Sequence, residues 1–76
     1  METLLATIRR VTDENIARNQ EPPTAGLQEI RAARPDLATE QIEEEAAELE
    51  EVGLIHVGRT INDYYYQLIQ QNNEVQ

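Results

Sequence analysis

Thr39-Glu40-Gln41-Ile42-Glu43-Glu44-Glu45-Ala46-Ala47-Glu48-Leu49-Glu50-Glu51-Val52-Gly53-Leu54-Ile55 is the stretch on which the reading of this chain turns. Ile42, Ala46, Leu49 and Val52 recur at helical spacing and form one apolar stripe. Thr39 is a good N-cap, and Gly53 stands where a left-handed residue ends a helix. Leu54-Ile55-His56-Val57 then reads as a strand. Seven glutamates and no basic residue lie on this helix, at 40, 43, 44, 45, 48, 50 and 51.

Upstream, Leu4, Leu5, Ile8, Val11 and Ile16 fall near one face of a helix predicted over residues 3–19. Pro22-Pro23 forces extended backbone and stops it. Thr24 is expected to cap a second helix over 25–34, with Leu27 and Ile30 inward and Arg31 and Arg34 outward. Pro35 ends that helix, and Pro35-Asp36-Leu37-Ala38 turns into the third, over 40–52. Downstream, strands near 54–59 and 64–69 pair as a hairpin around Asn62-Asp63, residues that tolerate positive φ. Tyr64, Tyr66 and Leu68 share one face of the second strand, Tyr65 and Gln67 the other. The expected core is Leu5, Ile8, Ile16, Leu27, Ile30, Leu37, Ile42, Ala46, Leu49 and Ile55. A strand anywhere between residues 25 and 52, or Ile42 and Leu49 both exposed, would sink the fold as read here with its two strands. Residues 1–69 form one domain, and the Gln/Asn-rich tail 70–76 frays.

Composition narrows the function. The 76-residue chain has room for one small core. Fifteen acids against six arginines give a net charge of −9, which repels nucleic acid and anionic membrane at long range. Cysteine, serine and lysine are absent, so most nucleophiles are missing, and His56 is the one imidazole that could act as a base. Threonine, tyrosine and carboxylates form no recognisable catalytic arrangement, so the chain reads as a non-enzyme without a cofactor. No apolar run approaches the ~20 residues needed to cross a bilayer, and no signal peptide is visible. A cytoplasmic protein is the default expectation.

The order helix, Pro-Pro-Thr, helix, turn, helix, Gly-Leu-Ile, hairpin resembles the winged helix-turn-helix DNA-binding domain of LexA-type repressors, and more loosely MarR-type regulators. Ile16, six positions before Pro22-Pro23-Thr24, then Glu29-Ile30 and Leu49 to Ile55 carry the resemblance. It spans about Leu5 to Leu68. The fold it implies is mainly α with a small β-hairpin (α+β), a three-helix winged helix-turn-helix. The function it implies is DNA binding, with the start of the third helix in the major groove. Carried over by position, Glu40, Gln41, Glu43, Glu44 and Ala47 would face the groove, with Arg59 at the wing. Gln41 could read adenine, and glutamate can accept from a cytosine amino group. The cations that supply affinity for phosphate are missing from this helix.

Other constellations have plain explanations. Arg9-Arg10 reads better as a solvated face than as a phosphate contact. His56 stands alone on a strand, without a second ligand for a metal. Glu43-Glu44-Glu45 lacks the loop geometry of a calcium site, and a solvated acidic face accounts for it. Tyr64-Tyr65-Tyr66 fits cross-strand packing better than base stacking.

Two readings remain. In the first, which the charge favours, the chain is a regulatory module whose acidic third helix meets a basic protein partner. Its partner face is Glu40, Glu43, Glu44, Ala47, Glu48 and Glu51. In the second, it is a sequence-specific DNA-binding regulator touching DNA through Arg9, Arg10, Arg31, Arg34, Gln41 and Arg59. Self-association is a further expectation. Leu4 and Leu5 are adjacent, so one of them points away from the core. Leu4 with Tyr64, Tyr66 and Ile61 or Ile69 would supply a two-fold interface.

Overall fold

The computed structural model describes residues 2–19, 23–61 and 63–69; Pro22, Asn62 and the 70–76 tail, on which expectations were placed, lie outside them. Helix α1 runs Leu4–Ala17 and starts at Thr3, whose hydroxyl accepts from the Ala6 N–H at 3.1 Å. It ends two residues earlier than expected, and Asn19 follows in the left-handed region at φ 63°. Its buried face is Leu4, Thr7, Ile8, Val11, Thr12 and Asn15. Leu4, Ile8, Val11 and Asn15 follow i, i+4, i+7, i+11 along the line that faces the core. Ile16 lies off that line and is 51% exposed, while Leu5 is only half-buried. Both are corrections to the expected core.

The next segment departs most from expectation. Ala25–Gly26 is a short strand, β1, inside a region expected to hold none. It pairs antiparallel with β3 (Tyr64–Leu68), Ala25 opposite Tyr66 and Gly26 opposite Tyr65. The cause is long-range. Asn15 Nδ2 donates to the Thr24 carbonyl at 2.7 Å and fixes the chain beside α1. Thr24 therefore caps nothing, and α2 starts later, at Leu27–Ala33, behind Gly26. Glu29 Oε1 accepts from the Gly26 N–H at 3.0 Å, the reaching-back half of a capping box.

Helix α3 spans Thr39–Glu51, with Ala38 rather than Thr39 at the N-cap. Gln41 Oε1 closes this end by accepting from the Ala38 N–H at 3.0 Å. At the other end Gly53 has φ 85°. Its N–H reaches the Glu50 carbonyl at 3.0 Å and the Leu54 N–H reaches that of Leu49 at 3.0 Å, the paired bonds of a Schellman motif. Strand β2, Ile55–Arg59, follows at once and pairs with β3, Val57 opposite Tyr66. The sheet order is β1-β3-β2, so β3 is central. Thr60 closes the hairpin by hydrogen bonds to and from the Asp63 backbone.

The described residues thus form an α+β fold of three helices and a small three-stranded antiparallel sheet. Leu4, Ile8, Val11, Ala25, Leu27, Ile30, Ile42, Ala46, Ile55 and Tyr66 form its core. Leu37 and Leu49, expected there, are half-buried at its edge. No helix among the described residues is long and apolar enough to cross a membrane.

Candidate functional site

Because α3 turns its stripe of Ile42 and Ala46 onto the core, its opposite face points to solvent. Glu40, Glu43, Glu44, Ala47, Glu48 and Glu51 are all exposed there, gathered within an arc of roughly 140° at the helical repeat. Among the described residues none of these five glutamates forms an ion pair. The candidate partner face is therefore brought together by a single rigid element.

The arginines are divided. Arg9, Arg31 and Arg59 are exposed on three different elements. Arg10 is exposed but holds Glu2 through two bonds, Nε at 3.1 Å and Nη2 at 3.0 Å. That contact keeps the Glu2 carboxyl below its ordinary pKa. Arg34, expected to face outward as a nucleic-acid contact, is buried to 7% exposure. Its Nη1 donates to the Glu2 carbonyl at 2.8 Å and to Thr7 Oγ1 at 3.1 Å. Its Nε and Nη2 grip the two Asp36 carboxylate oxygens at 3.0 and 2.9 Å. It is a clamp joining the N-terminus of α1 to the turn after α2. The sequence signal was Arg34-Pro35-Asp36: an arginine two residues before an acid at a helix end has a partner within reach. Gln41 is exposed, but its carbonyl oxygen serves as the α3 cap.

The expected two-fold contacts are also corrected. Leu4 and Tyr66 are 3% and 1% exposed, so both are core residues. Tyr64 stays at the surface, with the Arg59 guanidinium 5.8 Å from its ring centre. Ile61 and Ile69 are the exposed apolar residues near it in sequence.

Three features escaped the sequence reading. Asn15, 2% exposed, donates both to Thr24 and to Glu29 Oε1 at 3.1 Å, tying α1 to the start of α2. Gly58 is buried beneath the Tyr65 ring, and a methyl group there would overlap that ring. The third is an open groove between α3 and the hairpin, lined by Glu43, Ala46, Ala47, Glu50, Val57, Tyr64 and Tyr66. At its Glu50 end Oε2 accepts from the Val57 N–H at 3.1 Å. His56 Nδ1 lies 3.8 Å from the same oxygen, too far for a hydrogen bond. Burial, with the nearby negative charge of Glu43, pushes the Tyr66 phenol up to about 12. Among the described residues no three His, Asp or Glu side chains converge to hold a metal ion.

Comparison of the chain with protein-family models, with curated proteins and with solved structures returned no match.

Proposed function

We propose that this chain is a small acidic regulatory module of the winged-helix type, acting by protein–protein contact in transcription or another nucleic-acid-associated process. Its third helix presents the face Glu40, Glu43, Glu44, Ala47, Glu48 and Glu51 to a basic protein partner. The two-strand form of that fold is set aside by β1, and the proposed form has three strands in the order helix, strand, helix, helix, hairpin. The observation carrying the functional reading is that five glutamates share one exposed face of α3 with no counter-ion among the described residues. Concentrated like charge of this kind attracts a cationic surface over a Debye length and repels phosphate.

The DNA-binding alternative relies on Arg31, Arg34, Arg59 and α3. Burial of Arg34 and the Arg10–Glu2 pair reduce the cations open to phosphate. One experiment separates the two. A variant with Glu40, Glu43, Glu44 and Glu51 all changed to Gln keeps helix propensity. It should lose affinity for an arginine-rich peptide, most strongly at low salt, and retain or gain affinity for random duplex in a gel shift. Loss of a DNA affinity that the parent shows at physiological salt would instead establish that the glutamates read base edges.

A further inference from the structure

The groove between α3 and the hairpin is lined along α3 by Glu43, Ala46, Ala47 and Glu50. The two carboxylates stand two helical turns apart, about 10 Å along the axis, and the alanines between them leave the space open. Its volume is about 240 Å³. That falls below the ~300–1,000 Å³ of small-molecule sites and suits a single long side chain.

The two ends differ. Glu50 is engaged with the Val57 N–H and closes one end. Glu43, at the other, has neither ion pair nor hydrogen bond among the described residues. Tyr66 lines the groove while only 1% exposed, and its hydroxyl has no hydrogen-bond partner among the described residues. The ring is buried while the oxygen itself reaches the groove, because the fully buried side-chain oxygen without a partner among the described residues is Thr12 Oγ1. The groove therefore offers an unengaged carboxylate and an unengaged phenol oxygen beside a trough of alanine methyls, Val57 and the tyrosine rings.

We propose that this groove is the anchor pocket for one arginine side chain of the basic partner. The inference rests on the function proposed above and locates the contact that dominates it. The aliphatic stem lies along Ala46, Ala47 and Val57. The guanidinium donates to the Glu43 carboxylate and the Tyr66 oxygen. Arginine suits this better than lysine, because its planar fork serves two acceptors at once and sheds water more readily. Arg59, which does not line the groove, already places its guanidinium 5.8 Å from the Tyr64 ring, so a ring of this wall accepts a cation.

The test measures binding of a synthetic arginine decapeptide to the full chain at physiological ionic strength, by calorimetry and amide chemical shifts. Glu43→Gln should weaken binding about ten-fold through loss of a charge-assisted bond. Glu40→Gln, one turn away with the same change of charge, should weaken it less than about two-fold. Ala47→Met leaves the charge unchanged and fills the trough, and it too should weaken binding about ten-fold. Tyr66→Phe keeps the ring and should also weaken it, with a urea midpoint recorded for each variant to verify folding. Equal losses from Glu43→Gln and Glu40→Gln, with Ala47→Met binding like the parent, would overturn the pocket and leave the acidic face as a diffuse contact. Absence of binding by the parent would overturn the proposed function and the pocket together.

Discussion

Arg34 Nη1 lies 3.1 Å from Thr7 Oγ1, a bond across 27 positions of sequence that both residues make inside the fold. With the Glu2 carbonyl and both Asp36 oxygens on the same guanidinium, this side chain serves four acceptors. Arg34→Lys keeps the charge but not the planar fork, so it should lower the urea midpoint nearly as far as Arg34→Met. Arg9→Ala, at an exposed position, should leave the midpoint unchanged. Equal midpoints for Arg34→Met and Arg9→Ala would show that the clamp contributes nothing.

Acid should act on this clamp with a definite sign. Hydrogen bonding to Arg34 holds the Asp36 carboxyl below its ordinary 3.8, and Arg10 holds Glu2 below 4.5. Carboxylates lowered on folding contribute stability above their unfolded pKa and lose it as pH falls through the folded value. The net charge of −9 works the other way, because mild acid relieves self-repulsion. The informative quantity is therefore a difference. The stability gap between the parent and Asp36→Asn should be constant near neutrality and should close as pH drops below about 4. Urea denaturation at a series of pH values measures it.

At the alkaline end Tyr66 should dominate. Its pKa rises on folding from 10.0 to about 12, chiefly through burial. A group raised on folding contributes in full below its unfolded pKa and loses that contribution as pH rises through the folded one. Stability should fall between pH 10 and about 12 in the parent, and this fall should shrink in Tyr66→Phe. Far-ultraviolet dichroism against pH, with phenolate absorbance at about 295 nm as a simultaneous readout, follows both events.

Asn15→Ala removes the donor to Thr24 and Glu29 and leaves the Thr24 carbonyl without its partner. A buried group stripped of its hydrogen bond costs about 1–3 kcal/mol, which should appear in the denaturation midpoint. Amide exchange should also accelerate at Ala25 and Gly26 beyond the global change, since this bond sets the strand. Protection at those two amides falling only in step with the rest of the chain would sever Asn15 from β1.

Gly53→Ala should cost about 1–2 kcal/mol, the penalty of a side chain in the left-handed region. Open space surrounds the position, so no clash adds to this. Gly58→Ala is different in kind, because the added methyl must displace the Tyr65 ring. Tyr65→Ala in the same chain should remove most of that cost, a non-additivity read from a double-mutant cycle.

Local chemistry was legible in the chain itself. The periodicity of Ile42 and Ala46 fixed α3 and its solvent face, Gly53 fixed the helix end, and Pro35 fixed the boundary after α2. The hairpin followed from alternation about Asn62-Asp63, within one residue at each strand. These features depend on neighbours a few positions away, and hydrophobic spacing and positive φ report on such neighbours directly. Partners distant in sequence decided the rest. Asn15 outranked Ile16 on α1 because Thr24 and Glu29 meet it there. Tyr66 became core rather than surface because β1 adds to β3 and makes it central. Arg34 was drawn inward because Glu2, Thr7 and Asp36 converge on it, and a guanidinium is costly to bury unless acceptors meet its hydrogen bonds. The groove beside Glu43 exists only where α3 and the hairpin lie side by side, a relation set by packing across the core, which neither segment encodes alone.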